Sequence, residues 1–117
     1  INVYFLKATT NIEEVLRDAD IFALLSESEG MPMSVLEALA SKKPILLSQI
    51  SSMETFFREN GLLVKNDVNE VVAAIKRLCK LDLDAMSKAS LELFNDRFNL
   101  LNNKKKFIDF YESFIRE

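Results

Sequence analysis

The chain has 117 residues, of which 49% are hydrophobic and 28% are charged. This length and composition fit one globular domain with a single core and exclude a disordered chain. No apolar run approaches the roughly 18–20 residues that cross a bilayer, so no membrane-spanning helix is predicted. The net charge of −3 provides no basic surface, so no nucleic-acid partner is expected.

Missing residue types exclude several classes of site. The sequence has no histidine, two glycines and one cysteine. The usual catalytic triads and the paired-histidine zinc motif are therefore absent, and two glycines cannot form a dinucleotide-binding loop or a P-loop. The single cysteine, Cys79, lies on the apolar stripe of a predicted helix, which favours a small core residue over a nucleophile.

Short apolar runs alternate with helical patterns along the first 80 residues. Four runs are typical of strands that are buried on both faces, namely residues 3–6, 21–25, 45–47 and 62–64. Short strand–helix–strand connections produce right-handed βαβ units. The sequence therefore predicts an α/β domain with about four parallel strands flanked by helices.

Helix-start signals accompany this pattern. Asn11 and Glu14 offer an N-cap and its reciprocal partner, and Asp67 precedes a later helix. After residue 80 the strands cease, and two C-terminal helices are predicted over residues 84–95 and 99–116. We expect the last helix to cross away from the sheet, which would leave part of its aromatic stripe without a partner in the chain.

The connection that follows the second predicted strand is the candidate site. In open parallel sheets, ligands bind beyond the carboxyl ends of the strands. Residues 26–38 combine three carboxylates and Gly30 with the start of a predicted helix. Amides at a helix N-terminus attract phosphates, and a glycine lets the backbone approach a ligand closely. The carboxylates of Glu29 and Glu37 could each accept two hydrogen bonds from neighbouring sugar hydroxyls.

The same residues also fit a purely structural interpretation. Ser34 and Glu37 have the spacing of a capping box, in which Glu37 bonds back to the helix start. Pro32 would then be a boundary residue, and Glu27 and Glu29 would be solvated acids favoured by the helix dipole. Spacing alone does not decide between capping and ligand binding.

The segment EGMPMSVLEA, residues 29–38, resembles the E-x7-E motif of retaining glycosyltransferases with the GT-B fold, of the group 1 or family 4 type. Further segments resemble the flanking sequence of that family in the same order, so the similarity covers nearly the whole chain. These segments are residues 11–26, 40–45, 60–67 and 97–98.

The resemblance implies roles for individual residues. Glu29 would be the catalytic residue that contacts hydroxyls of the transferred sugar, and Glu37 would bind the ribose of the nucleotide. The residues around the helix start would hold the donor sugar and its phosphates, namely Gly30, Met31, Met33 and Ser34. No metal ion or other cofactor is implied, because the nucleotide sugar is a substrate.

Two residues depart from the family pattern. Lys42 stands where the family usually has a glycine, in a left-handed position where a side chain costs about 1 kcal/mol. Pro32 stands where many members have a glycine, which removes one amide and could alter sugar selectivity. Neither departure affects the two glutamates.

The resemblance also implies that residues 1–117 are a single α/β domain, the second part of a Rossmann-like donor-binding domain. The acceptor domain, the glycine-rich loop and an Arg/Lys pair that neutralises the diphosphate would lie elsewhere in a longer parent. Because that charge stabilisation is a large share of catalysis, we expect the chain alone to be inactive. The parent would transfer a hexose from a UDP- or GDP-sugar during surface polysaccharide synthesis, in the cytoplasm or against the inner face of the membrane.

Two other classes of protein share features of this sequence. A flavodoxin-like signalling module of the receiver type has a similar length and βα alternation. It requires acidic residues after the first strand and an aspartate after the third, where this sequence has Lys7 and Ser48. An inactive scaffold would keep the glutamates only as helix caps.

Overall fold

The computed structural model describes residues 2–115 of the chain. Its regular elements lie between Ile12 and Ile115. In chain order they are α1 (Ile12–Arg17), β1 (Phe22–Leu24), α2 (Met33–Ala40), β2 (Ile45–Ser48), a 3₁₀ helix (Ser51–Phe56), β3 (Gly61–Val64), α3 (Val68–Leu78), α4 (Leu83–Leu93), a π-helical turn (Phe94–Phe98) and α5 (Leu100–Ile115).

The sheet has three parallel strands in the order β1-β2-β3. Phe22 pairs with Ile45, and Ile45 pairs with Gly61, so the amino ends of all three strands are aligned. The central strand, β2, is buried at every position. The predicted α/β class, with parallel strands flanked by helices, is therefore confirmed.

Helices cover both faces of the sheet because side chains alternate along β2. Ile45 and Leu47 pack into a cluster with α2, the 3₁₀ helix and Leu93 of α4. Leu46 points to the opposite face, where it packs with Ala74 and Leu78 of α3. Two cores on one parallel sheet are the layering of a partial Rossmann-like domain.

The predicted fourth strand is not found. Residues 3–6 form no strand in the described part of the chain, and Phe5 is 95% exposed. A strand requires a neighbour that satisfies its backbone hydrogen bonds, and among residues 2–115 β1 pairs only with β2. The apolar run indicated a segment suited to a sheet, but it carried no information about a partner.

Two local predictions at helices need correction. Asn11 precedes α1, but its side chain donates to the Glu14 carboxylate at 2.7 Å instead of capping the backbone. Cys79 is exposed and ends α3, so it is not a core residue. Since successive helix residues are rotated by about 100°, the burial of Leu78 turns its neighbour Cys79 towards solvent.

The two C-terminal helices occur where they were predicted. α5 contacts the rest of the domain chiefly through the π-helical turn, and its apolar side chains from Phe107 to Ile115 are 44–81% exposed. The expectation that part of this stripe lacks a partner is confirmed for the residues that the structure describes. No helix among residues 2–115 is both long and apolar enough to cross a membrane.

Candidate functional site

The connection between β1 and α2 lies at the carboxyl edge of the sheet and ends at a helix without a side-chain cap. α2 begins at Met33, and the N-cap is Pro32, with φ −73° and ψ 109°. Within the described residues no side chain accepts a hydrogen bond there. At α3 and α4, by contrast, Asp67 and Asp82 accept such bonds. The first amides of α2 therefore remain available to a ligand.

The capping-box interpretation of Glu37 is wrong. Because Pro32 occupies the N-cap position, Ser34 is the second residue of α2 and Glu37 is the fifth. Glu37 is exposed, and its side chain makes no hydrogen bond within residues 2–115. Helix capping therefore does not explain this carboxylate.

Glu37 instead lines a cavity of ≈ 570 Å³ between α1 and α2. This volume lies within the range of small-molecule sites, roughly 300–1,000 Å³. The sequence did not reveal the contribution of α1, because only the tertiary fold brings α1 beside α2. The other residues that line the cavity are Thr10, Asn11, Ile12, Glu13, Leu16, Ala40 and Ser41.

Glu29 lies in the β1–α2 connection and is half-buried. Its Oε1 atom accepts a hydrogen bond of 2.9 Å from the Ser26 hydroxyl. Its other carboxylate oxygen has no partner in the described part of the chain. The structure thus brings Glu29 together with Ser26, whereas Glu29 is not among the residues that line the cavity beside Glu37.

The other predicted site residues form an exposed rim around the start of α2. Gly30 has no positive φ, and a Cβ atom at this position would meet no described protein atom within 4 Å. Neither backbone conformation nor packing within residues 2–115 therefore requires a glycine here. Met31 and Met33 are 60% and 62% exposed, and Ser34 is exposed as well.

A hydrogen-bonded network joins the carboxyl ends of the three strands. The Ser26 amide donates to Ser48 Oγ at 2.7 Å, and the Ser48 hydroxyl donates to Asn66 Oδ1 at 2.7 Å. The side-chain amide of Asn66 then donates to the backbone carbonyl of Ser26 at 3.0 Å. Sequence reasoning missed Ser48 and Asn66 as site residues. The available signal was that polar residues follow each buried apolar run at the edge where parallel strands end.

No group of three or more Asp, Glu or Cys side chains is arranged to hold a metal ion among the residues that the structure describes. The chemistry of this edge, as far as residues 2–115 form it, consists of free helix amides, carboxylates and hydroxyl groups.

Comparison with known proteins agrees with the resemblance to group 1 glycosyltransferases. The sequence profile of the family described as "Glycosyl transferases group 1" matches residues 1–81. The O-antigen biosynthesis glycosyltransferase WbnH of Escherichia coli is 39% identical over 70 residues, which are 60% of this chain and 20% of that protein. No solved structure matches the chain.

Two relatives match over more of the chain. The UDP-Gal:alpha-D-GlcNAc-diphosphoundecaprenol alpha-1,3-galactosyltransferase of Escherichia coli is 30% identical over 105 residues, which are 86% of the chain and 27% of that protein. The N,N'-diacetylbacillosaminyl-diphospho-undecaprenol alpha-1,3-N-acetylgalactosaminyltransferase of Campylobacter jejuni is 29% identical over 120 residues, with 97% of the chain and 31% of that protein covered.

The chain thus spans between a fifth and a third of the length of these relatives. The family profile covers well over half of the chain, and it includes all of β1, α2, β2 and β3. This match favours the glycosyltransferase interpretation over a receiver-like module. The chain belongs to the group 1 glycosyl transferases.

Proposed function

We propose that this chain is the donor-binding part of a retaining glycosyltransferase that transfers a hexose from a nucleotide sugar to a glycan or a lipid-linked acceptor. The observation that carries the proposal is the uncapped start of α2 at the carboxyl edge of the sheet, with Glu29 before it and Glu37 within it. The relatives named for O-antigen synthesis and for lipid-linked sugar acceptors support a role in making surface polysaccharides.

In this proposal the diphosphate of the donor binds at the start of α2. The amides of Met33 and Ser34 begin the helix, and within residues 2–115 no side chain competes for them. The helix dipole adds a favourable interaction with negative charge. The open space around Gly30 would admit the phosphates and the sugar close to the backbone.

Glu37 is proposed to bind the ribose of the nucleotide. Its carboxylate is exposed, makes no hydrogen bond within the described residues, and lines the ≈ 570 Å³ cavity. A carboxylate of this kind can accept hydrogen bonds from both hydroxyls of a ribose. Ile12 and Leu16, which line the same cavity, would provide apolar contacts for the base.

Glu29 is proposed to act on the transferred sugar. In the reaction, the bond between the anomeric carbon and the diphosphate oxygen breaks, and the diphosphate leaves with the electron pair. The acceptor oxygen then bonds to the same face of that carbon, and its proton passes to the departing diphosphate. A carboxylate near the sugar hydroxyls interacts more strongly as positive charge develops on the ring. We propose that neither a metal ion nor another cofactor takes part.

The remaining parts of the reaction are proposed to lie in other segments of a full-length protein. These parts are the acceptor domain and the basic groups that neutralise the leaving diphosphate. If the acceptor is linked to a lipid, the full-length protein would work at the inner face of a membrane. On this proposal the chain binds a donor nucleotide but does not transfer sugar by itself.

Binding is tested by titrating the purified chain with UDP, with GDP and with acetyl phosphate while amide NMR signals are recorded. We expect UDP or GDP to shift the signals of Gly30 and Ser34, and acetyl phosphate to leave them in place. A response to acetyl phosphate alone would support the receiver-like alternative and contradict donor binding.

The roles of the two glutamates are tested by kinetics in the full-length protein with UDP-galactose and UDP-N-acetylgalactosamine as donors. We expect Glu37→Gln to raise the donor KM by about 10- to 100-fold, since hydrogen bonds to a charged group contribute about 1.5–3 kcal/mol. Ribose binding is similar in the ground state and the transition state, so kcat should change little. Glu29→Gln should instead lower kcat, because its interaction strengthens as charge develops.

The control for both variants is Glu92→Gln, which changes an exposed carboxylate on α4 that the proposal leaves outside the site. It should keep wild-type KM and kcat. If Glu29→Gln and Glu37→Gln also keep both constants while folding normally, the assignment of these glutamates is wrong.

A further inference from the structure

Glu29 is connected to the most deeply buried strand of the sheet through a short series of hydrogen bonds. The Ser26 hydroxyl holds Glu29 Oε1 at 2.9 Å. The backbone of Ser26 is held in turn by Ser48 and Asn66, through its amide at 2.7 Å and its carbonyl at 3.0 Å. Ser48 belongs to β2 and is 1% exposed, so the series ends on a rigid element.

The burial of Ser48 indicates that its hydrogen bonds to Ser26 and Asn66 hold both residues in fixed positions. Ser48 is the last residue of β2 and follows three fully buried apolar residues. A buried hydroxyl costs free energy unless its hydrogen bonds are made. Here the hydroxyl makes two, since it accepts from the Ser26 amide and donates to Asn66 Oδ1. Its position therefore fixes both the loop that leads to Glu29 and the side chain of Asn66.

We infer that Ser48 and Asn66 are positioning residues that hold the β1–α2 connection so that Glu29 is oriented towards the donor sugar. This inference rests on the role proposed for Glu29. Neither residue is placed in contact with substrate. They act through Ser26, by fixing the direction in which its hydroxyl meets the Glu29 carboxylate. A loop that is fixed before the substrate binds needs no reorganisation when charge develops on the sugar.

The test is the kinetics of Ser48→Ala in the full-length protein, measured as UDP released from UDP-galactose and from UDP-N-acetylgalactosamine. Because small displacements of a catalytic group have large effects, we expect kcat to fall by about 10- to 100-fold. The donor KM should stay within about twofold, since Glu37 would be untouched. Ser48→Thr retains the hydroxyl and should restore most of kcat.

The chain supplies a matched control in Ser90→Ala. Ser90 is also a fully buried serine that accepts a hydrogen bond from an asparagine, Asn60, and donates one to a backbone carbonyl, that of Lys43. It lies at the opposite end of the sheet. We expect Ser90→Ala to lower thermal stability while leaving kcat unchanged below the unfolding transition. An equal loss of kcat in Ser90→Ala and Ser48→Ala would overturn the inference.

Asn66→Ala keeps the test informative if Ser48→Ala does not fold, because Asn66 is exposed and its loss leaves no cavity in the core. It should lower kcat in the same direction. The double variant Ser48→Ala with Glu29→Gln should show the kcat of Glu29→Gln alone, because Ser48 acts through Glu29. Additive losses would overturn the positioning role.

Failure of the inference is distinguishable from failure of the proposed function. If Glu29→Gln lowers kcat while Ser48→Ala and Asn66→Ala do not, only the positioning role is wrong. If Glu29→Gln keeps wild-type kcat, the role proposed for Glu29 is wrong and the inference falls with it. If the full-length protein releases no nucleoside diphosphate from any UDP- or GDP-hexose, the proposed function itself is wrong.

Discussion

The two edges of the parallel sheet contain similar residues that serve different purposes. At the amino edge Asn60 is fully buried, and its side chain contacts the Arg58 amide, the Phe56 carbonyl and the Ser90 hydroxyl. At the carboxyl edge Asn66 is exposed and joins Ser26 to Ser48. The amino edge is closed by packing, whereas the carboxyl edge keeps helix amides and carboxylates accessible.

Backbone conformation follows the same division. The described residues contain two non-glycine residues with positive φ, Lys42 at 61° and Glu59 at 52°. Each lies shortly before a strand, at the amino edge, where the chain turns sharply into β2 or β3. The longer β1–α2 connection at the carboxyl edge contains no such residue. Tight turns therefore close one edge, and a hydrogen-bonded loop shapes the other.

The two glycines should give the largest contrast between the edges. A Cβ at Gly61 would collide with the backbone carbonyl of Ile45, whereas a Cβ at Gly30 would meet nothing within 4 Å. We expect Gly61→Ala to lower the unfolding free energy of the chain by about 3 kcal/mol or more, because backbone atoms cannot move aside cheaply. Gly30→Ala should change it by less than about 1 kcal/mol. Urea unfolding measures both, and similar losses would contradict the contrast.

The two asparagines should give an intermediate contrast. Asn60→Ala leaves buried polar groups without partners, and we expect a loss of about 2–3 kcal/mol. Asn66→Ala exposes its former partners to water at the edge of the sheet, and the loss should stay below about 1 kcal/mol. Thermal unfolding of the two variants under one buffer condition measures the difference. A greater loss for Asn66→Ala would show that the carboxyl edge carries more of the fold than its exposure indicates.

The smallest effect is expected at the left-handed residues. Lys42→Gly removes a side chain from a position with φ 61° and should stabilise the chain by about 0.5–1 kcal/mol. Ser41→Gly is the matched control, because Ser41 has φ −86° and gains nothing from a glycine there. Urea midpoints that rise for Lys42→Gly and not for Ser41→Gly would support this explanation. A fall for Lys42→Gly would show that its side chain makes a stabilising contact.

Much of the fold could be predicted because each buried run carries its own local signal. The apolar runs around β1, β2 and β3 and the aspartate before α3 produced the right elements in the right order. The left-handed conformation of Lys42 was implied by the family resemblance, which places a glycine there, and the structure confirms it with a φ of 61°. The same signal gave a wrong prediction at residues 3–6, because an apolar run indicates that a segment favours burial but not that a neighbouring strand is present.

For the candidate site, a smaller share of the features could be predicted from the sequence. The sequence by itself determined the residue types, with Glu29, Gly30 and Glu37 around the start of a helix. The flanking segments, in the same order as in the family, provided the resemblance. Only the tertiary structure decided that Pro32 displaces the capping box and that α1 forms a cavity with Glu37. It also decided that Ser48 and Asn66 meet Ser26, from 22 and 40 residues away. Hydrogen bonds over such separations depend on how strands align, which no local pattern records.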